Sequence, residues 1–125
     1  MTGVQTCALP IYIPVNPHMA SLQIQFYEAS QFPASFHGWA FAAEHGSWNR
    51  DPRGGYEVIA VPIDHGKALG EYEDFLTGFV LPDGKVWGRP VGVVVAKDGS
   101  LLVSDDGSES IWRVTYTGGK GAAGQ

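Results

Sequence analysis

The feature that most constrains the fold of this chain is a ten-residue pattern that occurs twice. Residues 38–47 and 99–108 align without a gap, and both copies read Gly, any residue, three apolar residues, a small residue, an acid, any residue, Gly and Ser. Each copy is followed by an alternating aliphatic run, at residues 56–61 and 111–114. Repeated four-stranded units of this kind are typical of β-propeller blades, whose sheets pack face to face. We therefore predict an all-β chain that forms about two blades of a β-propeller, too few to close a ring.

The composition agrees with a chain of many short strands. Glycine accounts for 17 of 125 residues and proline for 8, and they punctuate short apolar runs. Turn residues at 64–67, 83–85 and 97–100 predict hairpin turns, so most strand pairing should be antiparallel. The apolar runs predict strands at residues 22–27, 39–44, 56–63, 92–96, 101–104 and 111–116.

Charge and hydropathy exclude several classes of function. A formal net charge of −5 and a pI of about 5.2 argue against nucleic acid or an anionic membrane as partner, because both need clustered Lys and Arg. No stretch reaches the roughly 20 apolar residues that span a bilayer. Cys7 is the only cysteine, so neither an intrachain disulfide nor a cysteine metal cluster can form. We predict a soluble chain that acts on a small ligand.

The two ends of the chain, residues 1–11 and 118–125, lie outside the predicted blades. Residues 2–11 resemble the conceptual translation of a short-read sequencing adapter, so we interpret residues 1–11 as an artefact; the alternative is a genuine N-terminal tail. On this interpretation the native protein extends further towards its N-terminus, where any secretory signal would lie. Residues 118–125 are rich in Gly and Ala and predict a disordered tail. Residues 12–117 are the predicted blades.

The first loop with functional side chains follows the first copy of the pattern, where residues 48–55 form an insertion relative to the second copy. Insertions between blade strands map to loops on one rim, where ligand sites usually lie. In this loop Arg50 offers a planar fork of donors suited to a carboxylate, Asn49 can donate and accept, and Trp48 offers a flat face for stacking. The alternative is a surface loop in which Arg50 pairs with Asp51 or Glu44.

The second loop with a functional side chain, residues 84–92, restricts the backbone of one arginine. Arg89 lies between Gly88 and Pro90, and Pro90 restricts the backbone just before a predicted strand. An arginine fixed in this way suits an anionic ligand. The alternative is a surface ion pair between Arg89 and Asp83 or Asp105.

The remaining candidate is His18, which precedes the first predicted strand and would face the same rim. A lone histidine is more often a surface or hydrogen-bonded residue, and that alternative stays open. The other histidines lack the spacing of a zinc site, and residues 105–108 lack the calcium-binding pattern of an EF-hand and predict a turn. Motifs for a serine-hydrolase elbow, a phosphate-binding loop and a dinucleotide-binding turn are missing from the sequence.

Six segments, in order, resemble the C-terminal part of the glucose/sorbosone dehydrogenase family of soluble sugar dehydrogenases. Their order and spacing agree over nearly all of residues 17–117. The segments are 32–34 (FPA), 43–50 (AEHGSWNR), 55–58 (GYEV), 74–79 (DFLTGF), 88–93 (GRPVGV) and 111–114 (IWRV).

The resemblance implies a six-bladed propeller that binds pyrroloquinoline quinone (PQQ) on its rim and oxidises aldose sugars or sugar aldehydes at C1, by hydride transfer to the quinone. It also implies a periplasmic or secreted protein that passes electrons to a separate acceptor. Because PQQ carries three carboxylates, arginine forks and stacking aromatics fit it, while the cofactor supplies the redox chemistry. The cofactor-binding candidates are His18, Trp48, Asn49, Arg50 and Arg89.

The family's catalytic histidine and the carbonyl groups that hold its calcium ion lie in an earlier blade. We therefore assign no catalytic or metal-binding residue in this chain and expect the fragment alone to be inactive. Two other functions remain open. One is a non-catalytic propeller that binds a partner through the same rim. The other is a propeller hydrolase of the sugar lactonase type, against which the arginine-rich loops argue because its metal centre needs acidic side chains.

Overall fold

The computed structural model describes residues 19–47 and 54–118, and their regular structure is β apart from one 3-10 turn at Ala34–Phe36. The prediction of an all-β chain is therefore confirmed. Within these two ranges there is no helix long and apolar enough to cross a membrane. In chain order the strands are β1 (Ser21–Phe26), β2 (Ala40–Glu44), β3 (Glu57–Val61), β4 (Ile63–Asp64), β5 (Lys67–Ala68), β6 (Glu73–Leu76), β7 (Pro90–Val95), β8 (Leu101–Asp105) and β9 (Ser110–Val114).

The strands form two main sheets and a small hairpin. The first sheet has the order β1-β2-β3-β6, the second β7-β8-β9, and β4 pairs with β5. Every pairing between these strands is antiparallel, as predicted. The two copies of the sequence pattern occupy equivalent places, because β2 and β8 each lie second in their sheets and end at the acid of the pattern. The second unit differs from the four-stranded prediction, since its sheet has three strands among the described residues.

Two strand predictions needed correction. The strand predicted over residues 56–63 divides at Pro62, which has no N–H to donate to a ladder, and the chain then turns into the β4–β5 hairpin. That hairpin turn was predicted, and His65 and Gly66 take positive φ angles of 52° and 78°, the conformation of a tight hairpin turn. Strand β6 was missed because its acidic first half hides the apolar alternation.

The two sheets pack face to face over one apolar core. Aromatic side chains dominate it: the rings of Tyr27 and Phe32 stack with centroids 4.7 Å apart, and those of Phe41 and Phe75 lie 4.5 Å apart. The second sheet contributes Val93, Leu101 and Val103. Burial of these groups is the main force that holds the sheets together.

The other face of the first sheet is only partly covered. The β4–β5 hairpin and Tyr72 pack on its outer half, over Ala42, Ile59 and their neighbours. Along β1, the side chains of Leu22, Ile24 and Phe26 alternate onto this face and are more than half exposed. An apolar stripe therefore lies open beside the covered half.

Tyr27 joins the two sheets by a buried hydroxyl. It donates to the carbonyl oxygen of Gly99 at 2.6 Å and accepts from the N–H of Phe32 at 3.0 Å. We expect Tyr27→Phe to lower the free energy of unfolding by about 1.5 kcal/mol, because two buried backbone groups lose their partner. Urea denaturation measures this, with the exposed Tyr116→Phe as the control. Equal stabilities for the two variants would show that the hydroxyl does not hold the sheets together.

Candidate functional site

The base of the first predicted site loop and the whole of the second lie at one end of the two sheets. Here β2 and β8 finish, and β1, β3, β7 and β9 begin. The imidazole Nε2 of His45, from the first sheet, lies 3.0 Å from Oδ1 of Asp106, from the second, and joins the two sheets at this end. We call this end the upper rim, and it comprises residues 19–20, 44–47, 54–57, 88–90 and 105–110.

Arg89 lies on the upper rim, and its backbone is held on both sides. Its N–H donates to Oδ1 of Asp105 at 2.6 Å, and its carbonyl oxygen accepts from the N–H of Asp106 at 3.2 Å. A Cβ atom at Gly107 would lie 2.9 Å from the Arg89 nitrogen and 3.0 Å from its Cγ, so the turn can approach this closely only with glycine. These contacts fix the start of the arginine side chain.

The guanidinium group of Arg89 forms no hydrogen bond or ion pair with the described residues. Its Nε is buried and has no acceptor. The ion pairs considered in the sequence analysis, with Asp83 or Asp105, are not found in residues 19–47 and 54–118. A buried donor without an acceptor is costly, and it points to a ligand that supplies one.

Asp105 organises the loop around Arg89. It is 3% exposed, and its carboxylate accepts five hydrogen bonds, from the backbone N–H groups of Arg89, Gly107 and Ser108, the Ser108 hydroxyl and the Trp112 indole. Burial by itself would raise the pKa of Asp105, but these hydrogen bonds outweigh it and lower the pKa to about 2. The sequence predicted a turn here and missed this carboxylate, although the repeated acid of the pattern was a signal for it.

Glu44 occupies the same place in the first copy of the pattern but has a different environment. It is fully buried, and its Oε1 accepts from the Ser21 hydroxyl at 2.8 Å, while its Oε2 has no partner. Burial raises the pKa of Glu44, and the hydrogen bond from Ser21 partly opposes this. The two carboxylates at equivalent positions therefore differ in the direction of their pKa shifts, which is upward for Glu44 and downward for Asp105.

Glu57 lies directly opposite Glu44 in the β2–β3 register. Burial is the largest cause that raises the pKa of Glu57 to about 8, followed by its hydrogen bond with Asp74 and the negative charges of Asp74 and Glu44. Glu57 and Asp74 were not predicted as site residues, because neither belongs to a metal or catalytic motif. No group of three His, Cys, Asp or Glu side chains in the described parts of the chain is arranged to hold a metal ion.

Four of the five predicted cofactor contacts, His18, Trp48, Asn49 and Arg50, lie outside the residues that the structure describes. The base of the loop that carries three of them is described. The Ser47 N–H donates to the Gly54 carbonyl oxygen, and the Gly54 N–H donates to the Ser47 hydroxyl, each at 2.9 Å. This loop therefore leaves and re-enters the fold on the upper rim, the rim that also carries Arg89.

The sequence of the chain is similar to those of several known proteins. The family model described as TrAA12-like matches residues 5–117. An uncharacterized protein of Borreliella burgdorferi is 38% identical over 109 residues, which cover 86% of this chain and 29% of that protein. The pyrroloquinoline quinone-dependent pyranose dehydrogenase of Coprinopsis cinerea is 31% identical over 122 residues, which cover 82% of this chain and 16% of that protein.

Solved structures show the same similarity. The holo form of the PQQ domain of pyranose dehydrogenase from Coprinopsis cinerea matches with a TM-score of 0.60 and 28% identity, over 80% of this chain and 27% of that one. A Trichoderma reesei carbohydrate-active enzyme of family AA12 matches with a TM-score of 0.58 and 24% identity, over 75% of this chain and 24% of that one, and shows the fold alone. The chain spans less than a third of the length of each of these relatives.

Proposed function

The chain belongs to the TrAA12-like family, and from this premise we propose that it is part of a PQQ-dependent sugar dehydrogenase whose upper rim binds the quinone. The similarity to a PQQ-dependent pyranose dehydrogenase and to its PQQ domain supports a sugar oxidoreductase. The finer proposal is a dehydrogenase of the glucose/sorbosone type that oxidises aldoses or sugar aldehydes at C1. One observation in the structure carries the proposal: Arg89 is fixed at its backbone and presents a buried Nε without an acceptor.

The residues of the upper rim fit a flat, polyanionic cofactor. A guanidinium donates in a planar fork that matches a carboxylate, and such charge-assisted hydrogen bonds are among the strongest in proteins. Asp105 holds the Arg89 N–H, so Asp105 is a positioning residue, and five hydrogen bonds stabilise its negative charge. When bound, PQQ supplies the hydride acceptor for sugar oxidation. The chain's contribution is to bind and orient it.

The other parts of the proposal concern residues and partners beyond the described structure. We propose His18, Trp48, Asn49 and Arg50 as further contacts to the quinone from the same rim. The catalytic base and the carbonyl groups that hold calcium are proposed to come from other blades of a six-bladed propeller. A periplasmic or secreted location and a separate electron acceptor complete the proposal.

Replacing Arg89 tests this function. In the whole protein, we expect Arg89→Ala to weaken PQQ binding at least tenfold, which corresponds to the loss of about 1.4 kcal/mol from one charge-assisted contact. Titration of the apoprotein with PQQ, followed by absorbance, measures the affinity. The matched control is Arg113→Ala, because Arg113 pairs with Asp98 at 3.2 Å, away from the upper rim.

Three outcomes are decisive. Weaker binding in the Arg89 variant with normal binding in the Arg113 variant supports the proposal. Equal affinity in the Arg89 variant and the wild type removes Arg89 from the quinone site. Failure of the wild-type protein to bind PQQ overturns the dehydrogenase and favours a propeller that binds a partner through this rim.

A further inference from the structure

A hydrogen bond at the upper rim joins the two copies of the sequence pattern. His45 and Asp106 hold the same variable position in their copies, directly after the repeated acid. In the folded chain they lie against each other, with Nε2 of His45 3.0 Å from Oδ1 of Asp106. An ionised carboxylate can only accept a hydrogen bond, so Nε2 carries the proton and donates it. The contact therefore requires a side-chain donor at position 45 but does not require a charged imidazole.

The first sheet holds His45 in place. Its backbone N–H donates to the carbonyl oxygen of Ala20 at 2.9 Å, and its side chain is only 19% exposed. Two residues further on, the N–H of Ser47 donates to the carbonyl oxygen of Gly54 and closes the base of the first site loop. The imidazole is therefore fixed to the part of the first sheet that carries this loop.

Asp106 connects the imidazole to Arg89. Its backbone N–H donates to the Arg89 carbonyl oxygen at 3.2 Å, while its carboxylate accepts from His45. The N–H of Arg89 is held by Asp105, which belongs to the second sheet itself. Arg89 is thus bound on one side by its own sheet and on the other side by a residue that is tied to the first sheet. These contacts cross from one site loop to the other.

We propose that His45 is a positioning residue of the quinone site, which fixes Arg89 relative to the base of the first site loop through Asp106. The proposal rests on the function proposed above, because the separation of the two loops matters only to a ligand that spans them. A flat, rigid ligand held from two sheets binds most tightly when its contacts are already in place, since loops that must be ordered on binding reduce the affinity. In this role neither His45 nor Asp106 has to touch the ligand.

Titration of the whole apoprotein with PQQ, followed by absorbance, tests this role. We expect His45→Ala to weaken quinone binding about threefold, in keeping with the loss of one partly exposed contact. His45→Gln should restore nearly wild-type affinity, because glutamine keeps an N–H donor at the place of Nε2. The matched control is His65→Ala. His65 also contacts an aspartate, Asp64 at 2.8 Å, but its side chain is 92% exposed in the turn between β4 and β5.

Variants of the partner residues separate positioning from a general effect on the fold. Asp106→Ala should weaken binding as much as His45→Ala, and the double variant should lose no more than either single variant. Asp106→Asn keeps an acceptor oxygen and should bind normally. The decisive measurement is His45→Ala in the Arg89→Ala background. If His45 acts through Arg89, it changes the affinity of that background by less than about twofold, whereas an effect on the whole fold gives the same threefold loss in both backgrounds.

Several results would overturn the proposal while the quinone site stands. These are wild-type affinity in His45→Ala, an equal loss in His65→Ala, a loss in His45→Gln as large as in His45→Ala, and a threefold loss that persists without Arg89. Failure of the wild-type protein to bind PQQ is a different result, which overturns the function proposed above and the role of His45 with it. If His45→Ala does not fold, Asp106→Ala removes the same contact from its more exposed side and carries the same prediction.

Discussion

Replacing Asp105 with alanine is expected to lower the free energy of unfolding by about 4 kcal/mol, the largest effect of any single substitution considered. The carboxylate accepts five hydrogen bonds while 3% exposed, so its removal leaves four N–H groups without a buried partner. Leaving donors unsatisfied in a buried site costs several kcal/mol in total. Urea denaturation at pH 7 measures the change.

Asp105→Asn removes the negative charge of the side chain and keeps nearly the same shape. An amide oxygen can keep the three backbone donors at Oδ1, but an amide nitrogen at Oδ2 would face the Ser108 hydroxyl and the Trp112 indole, so we expect about half the loss. Asp106→Asn is the control, because Asp106 is exposed and, among the described residues, its carboxylate contacts the His45 imidazole alone, and a surface contact of this kind contributes less than about 1 kcal/mol. A loss below 1 kcal/mol in the alanine variant would show that the Asp105 network does not stabilise the fold.

The same variants also test how Arg89 is positioned. If Asp105 fixes the Arg89 backbone, Asp105→Ala, which removes the acceptor of the Arg89 N–H, should reduce quinone affinity in the whole protein more than Asp105→Asn, which can keep an oxygen at that position. Asp106→Asn is again the control. Unchanged quinone affinity would mean that the guanidinium finds its ligand without this support.

The repeated pattern allowed much of the fold to be predicted. Its three apolar residues and following acid fall in β2 and β8, and both strands end at that acid. Turns at residues 64–67 and 97–100 were also predictable, because Gly66 and Gly99 take positive φ angles that other residues rarely adopt. Local chemistry decides such features, and a sequence displays local chemistry directly.

The properties of the carboxylates could not be predicted in the same way. Glu44 and Asp105 share one position of the pattern, yet Asp105 is surrounded by donors and Glu44 meets a single hydroxyl. The difference depends on residues far along the chain, such as Arg89 and Ser21, which only the folded sheets bring near. Arg89 was identified because its neighbours in sequence restrict it, whereas Glu57 depends on partners from β2 and β6.

The second large effect concerns pH, and it follows from Glu57. The pKa of Glu57 is raised from 4.5 to about 8 in the folded chain, so the folded state binds its proton more tightly than the unfolded state does. The stability from this proton is complete below pH 4.5 and is lost as the pH rises through 8. For a fully buried group the shift would correspond to several kcal/mol, but solvent screening at a half-buried side chain reduces it to about 2 kcal/mol. We expect the free energy of unfolding to fall by this amount between pH 5 and pH 9.

Urea denaturation of the wild type and Glu57→Gln at pH 5, 7 and 9 tests this expectation. Glutamine carries no charge at any of these values, so the variant should lose most of this pH dependence and be more stable than the wild type at pH 9. The remaining dependence comes from Glu44, whose pKa burial also raises. Asp105 acts in the opposite direction, because its pKa is lowered to about 2 and its stabilisation is lost only as the pH falls below about 4. The two groups therefore act in separate pH windows. The exposed Glu73→Gln should follow the wild type, and an equally steep fall between pH 5 and pH 9 in Glu57→Gln would assign the pH dependence to another group.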